Sequence, residues 1–98
     1  MANICNNTFY CYTEDYNNYG YVKEFLTKEF KADIYEDSGT TIEACFDSKW
    51  TFPENLMKEM FENYPNKKDV YMRCLSVEYG CLYHALWVCD DEDGWKEC

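Results

Sequence analysis

Thr41-Ile42-Glu43-Ala44-Cys45-Phe46, followed a few residues later by Thr51-Phe52-Pro53-Glu54, is the stretch that decides the fold. In the first segment Ile42, Ala44 and Phe46 alternate with Thr41 and Glu43. That two-residue period puts the apolar set on one face of a half-buried strand. The second segment reads as a helix start, with Thr51 at the N-cap, Glu54 three residues on in capping-box position, and Pro53 tolerated in the first turn. Leu56, Met57, Met60 and Phe61 then recur at helical spacing. Pro65 restricts Tyr64 to extended backbone and ends the helix.

Outward from that centre the chain keeps alternating between the two periods. Residues 4–13 are rich in aromatic side chains and Thr, and predict an opening strand. Glu14 to Gly20 has turn composition, and Val22, Phe25, Leu26 and Phe30 predict a helix over 21–30. Ile34-Tyr35 reads as a short edge segment running into a turn. Residues 70–79 and 82–89 read as two strands joined through Glu78-Tyr79-Gly80-Cys81, a hairpin in which Gly80 supplies the unusual backbone angle. The tail from Asp90 to Cys98 is acidic and is expected to end the sheet. The order strand, helix, strand, helix, strand, strand predicts an α+β, ferredoxin-like sandwich. It has an antiparallel-rich, four-stranded sheet with two helices on one face, forming one domain over residues 1–98. If the first two strands are parallel, their connection is a right-handed crossover.

Composition narrows the function classes. Nine Lys+Arg against 19 Asp+Glu give a net charge of −10 on 98 residues. A nucleic-acid binder needs a basic footprint to neutralise phosphates, and an anionic membrane surface repels this chain for the same reason. Aromatic residues make up 19% of the chain, with ten Tyr, which is enough apolar surface to exclude a disordered acidic tail. The opening residues show no basic region followed by an apolar stretch, and the Cys81–Cys89 run is about half the length of a membrane span. A cytoplasmic location is therefore expected. The seven Cys are odd in number and form no C-x-x-C pair, so they read as free thiols in the core rather than a disulfide scaffold. Cys81-x-x-His84 is the nearest approach to a metal-ligand pair, and on a strand its two members point to opposite faces.

Met1-Ala2-Asn3-Ile4-Cys5-Asn6-Asn7, Lys49-Trp50-Thr51-Phe52-Pro53, Tyr64-Pro65 and Glu78-Tyr79-Gly80 together resemble a known group. These are small ferredoxin-like proteins encoded by bacteriophages, plasmids and other mobile elements, whose openings read Met-x-Asn-x-Cys-x-Asn. The resemblance implies that fold and a mobile-element origin, and it implies no catalytic residues.

The residues themselves offer little chemistry. His84 is the single His and reads as structural. No phosphate-binding glycine loop is present, and Asp90-Asp91-Glu92-Asp93-Gly94 lacks the spacing of a calcium loop. No cofactor, metal or catalytic set is expected. What stands out is the placement of acids in turns and the tail: Glu14-Asp15, Asp33 with Glu36-Asp37, and Asp90-Asp91-Glu92-Asp93, with Tyr16, Tyr19 and Tyr35 beside them. Duplex DNA carries about one charge per 1.7 Å of axis, and carboxylates interleaved with Tyr can imitate that field. The expected function is an acidic, anti-CRISPR-like inhibitor occupying the basic groove of a Cas effector or other host defence nuclease. Three alternatives stand beside it: solubility alone, a phage accessory module that binds protein or forms a homodimer through sheet edges, and a small enzyme using Cys and His84.

Overall fold

The computed structural model describes residues 4–80 and 83–98. Strand β1 (Ile4–Tyr12) leads into helix α1 (Tyr16–Phe25), a π-helical turn (Leu26–Phe30) and strand β2 (Asp33–Asp37). Strand β3 (Thr41–Lys49), helix α2 (Glu54–Glu62), a 3₁₀ turn (Lys67–Asp69), and strands β4 (Met72–Glu78), β5 (Tyr83–Asp90) and β6 (Gly94–Glu97) follow. The described residues form a six-stranded sheet in the order β2-β3-β1-β4-β5-β6, and every pairing is antiparallel. The fold class is α+β, as the sequence predicts, but the sheet has six strands rather than four.

Both extra strands are too short for a two-residue period to show. β2 is also interrupted by a bulge between Ile34 and Glu36, which breaks its alternation. β6 has only four residues and starts at Gly94, whose φ of 68° closes the β5–β6 turn. The tail therefore extends the sheet instead of ending it. The strands read over residues 4–13 and 41–46, β1 and β3, pair antiparallel, whereas β1 and β2, the strands that α1 joins, are both antiparallel to β3 and so run parallel to each other on either side of it. Thus α1 joins β1 to β2 across β3, and α2 joins β3 to β4 across β1.

Two local predictions also change. The first helix begins at Tyr16, not Tyr21, because Asp15 caps it by accepting the Asn18 N–H. Thr51 does not cap α2. Pro53 holds the N-cap position with no side-chain bond, and the Thr51 hydroxyl turns to the Phe52 carbonyl. The proposed turn around Gly80 runs into residues 81–82, outside the described residues. On its near side the Glu78 carboxylate accepts the Gly80 N–H at 2.6 Å.

The sheet has a covered and an open face. On β1 the side chains of Cys5, Asn7, Phe9 and Cys11 are fully buried, while Ile4, Asn6, Thr8 and Tyr12 are exposed. The covered side meets Val22 and Leu26 from the first helical segment and Met57 and Met60 from α2 in one cluster with Ile42, Met72, Cys89 and Trp95. Aromatic rings fill the gaps: Phe30 stacks on Phe46 at 4.2 Å and Phe52 on Trp87 at 4.4 Å. The Tyr21 hydroxyl donates to the Met60 carbonyl at 2.8 Å and ties the two helices together.

Candidate protein-binding surface

Antiparallel pairing gathers distant acids at one end of the sheet. A single transverse row runs Asp37, Ile42, Cys11, Met72, Cys89 and Trp95, one residue per strand. Just beyond it lie Glu14-Asp15 after β1 and the β5–β6 turn with Asp90-Asp91-Glu92-Asp93, while Asp37 ends β2 in the row itself and Glu36 sits one row further in, opposite Glu43. Three separate clusters thus share one strand end, spread over about 20 Å at about 4.8 Å per strand. Asp33 is the exception. It pairs with Cys45 in mid-sheet and belongs to the open face.

Several of these acids are committed to the fold. Asp15 accepts the Asn18 N–H at 3.0 Å and the Asn66 side-chain amide at 3.1 Å. Those bonds, the backbone one first, hold its carboxyl below the usual range. Asp37 pairs with Lys23 at 2.6 Å and accepts the Tyr19 hydroxyl, and both bonds lower its pKa. The Tyr19 oxygen in turn accepts the Gly39 N–H at 2.9 Å. Asp90 accepts the Glu92 and Asp93 N–H groups at 3.1 and 2.9 Å, an Asx-type turn that likewise lowers its pKa. Asp93 pairs with Lys96 at 3.0 Å. Among the described residues no ion pair is recorded for Glu14, Asp33, Glu36, Asp91 or Glu92, all of which are exposed. Tyr16 is 90% exposed and Tyr35 56%, whereas Tyr19 is half-buried.

The sequence reading missed the group that fixes this end. Asp69 accepts three donors through one oxygen: the Thr13 hydroxyl at 3.0 Å and the Glu14 and Asp15 N–H groups, both at 3.1 Å. The fully buried Asn18 amide donates to the Asn66 and Asp69 carbonyls at 3.0 and 2.9 Å and accepts the Asn66 N–H at 2.8 Å. Asp15 followed three residues later by Asn18 is an Asx cap signal that was legible. The role of Asp69 was not, because its donors lie more than 50 residues away.

The remaining chemistry-bearing groups are scattered. His84 lies exposed on the open face, opposite Val77 in register. Cys11, Cys74 and Cys89 are buried, and burial pushes each thiol up to about 12, so they stay protonated. Among the described residues no three His, Cys, Asp or Glu side chains converge as a metal site. No helix among them is long and apolar enough to cross a membrane. No protein-family model matches the chain, and neither a curated protein nor a solved structure matches it.

Proposed function

We propose that the protein acts by binding, with its acid-rich strand end docking into a basic groove of another protein. In its most concrete form the partner is a host defence nuclease such as a Cas effector, and the carboxylates take the place of nucleic-acid phosphates. The observation that carries this reading is the convergence of the three acidic clusters on one strand end. Each cluster is held locally, Glu14-Asp15 by Asp69, Asp37 by Lys23 and Tyr19, and Asp90 by the N–H groups of its own turn, which lowers the ordering entropy that opposes docking. A ferredoxin-like core is part of the same reading. The sub-order β2-β3-β1-β4 with α1 and α2 supports it, and β5 and β6 are an added hairpin at one side. The alternative, an accessory interaction or oligomerisation module, is favoured by the exposed Leu75 and Leu86 on the open face.

The test uses acids that do not hold the fold. Glu14, Glu36, Asp91 and Glu92 are reversed to Lys together, leaving Asp15, Asp37 and Asp90 in place. Capture of a Cas effector by the wild-type protein is expected to weaken with added salt. The reversed variant should lose capture at least tenfold, an order expected for close charge pairs. Unchanged capture by a variant with an unchanged melting temperature would sink the docking mechanism.

A further inference from the structure

We draw no further inference here: the strongest candidate, the groove between the two helices lined by Tyr21, Phe25, Glu29 and Glu59, carries none, because Lys28 already lies among its carboxylates, paired with Glu24 at 2.7 Å, and nothing in the structure shows what covers it.

Discussion

The two faces of β1 are made by one backbone ladder and meet opposite demands. Phe9, at 0% exposure, lies among helix side chains, while its neighbour Thr8 lies in the open. The covered face even holds a polar residue without penalty. Asn7 is fully buried, yet its amide donates to the Phe46 carbonyl at 3.2 Å and the Ser48 hydroxyl at 2.9 Å, and its oxygen accepts the Ser76 hydroxyl at 2.6 Å. The open face instead carries unpaired acids, exposed leucines and stacked Tyr and Arg. Stability is thus concentrated on one side of the sheet, and the composition of the other side is not constrained by the core.

That division is broken most sharply at Phe9. Phe9→Ala should cost about 3–5 kcal/mol in urea unfolding, whereas Thr8→Ala, one residue away, should stay within about 0.5 kcal/mol. Equal effects at both positions would erase the contrast between the faces. Asn7→Ala comes next. It takes the close acceptor from the Ser76 hydroxyl and the side-chain donor from the Phe46 carbonyl, while Ser48 keeps its bond to the Thr51 carbonyl, and should cost about 1–3 kcal/mol by the same measurement. A neutral outcome would mean that the covered face tolerates unpaired polar groups.

Thiol chemistry separates the faces more gently. Iodoacetamide at pH 8 should label Cys45 and Cys98 well before Cys11, Cys74 and Cys89, read by peptide mass spectrometry. Those three thiols hold their protons to about 12 in the folded chain, against 9.0 ordinarily. The unfolded chain therefore loses protons first as pH rises above 9, and stability falls between there and 12. Early labelling of Cys11 would show that the covered face opens locally.

How much of this was legible depended on whether a feature was local. Strands β1, β3, β4 and β5 were readable because each sends alternate side chains into the core, so packing wrote a two-residue period into the sequence. Tyr16-Asn17-Asn18-Tyr19-Gly20 looked like a turn because its residues individually favour turns. It is helical because Asp15 caps it and Asn18 is held by Asn66 and Asp69, a tertiary override of propensity. Thr51-Phe52-Pro53-Glu54 shows the converse, a capping signature whose hydroxyl found a nearer carbonyl. At the candidate site the acidic clusters were visible as composition, but their shared end was not. Nor could sequence separate Asp91 and Glu92, which face solvent, from Asp15, Asp37 and Asp90, which hold loops in place. The open-face row that joins Glu36, Glu43, Tyr10, Arg73, Val88 and Lys96 depends on register across six strands, information that no single segment carries.

The position of β1 has a kinetic consequence. It is the earliest described strand in the chain, yet it lies inside the sheet, and its ladder joins Asn6 to both Asp47 and Val77. Neither partner is near in sequence, so the chain must close two long loops before its central pairing is rewarded. Topologies dominated by such distant contacts fold in milliseconds to seconds rather than microseconds. Until β4 arrives, the β1–β3 pair presents an unpaired edge at Asn6 to Cys11, and this nascent edge is where the chain is most exposed to strand exchange with its neighbours.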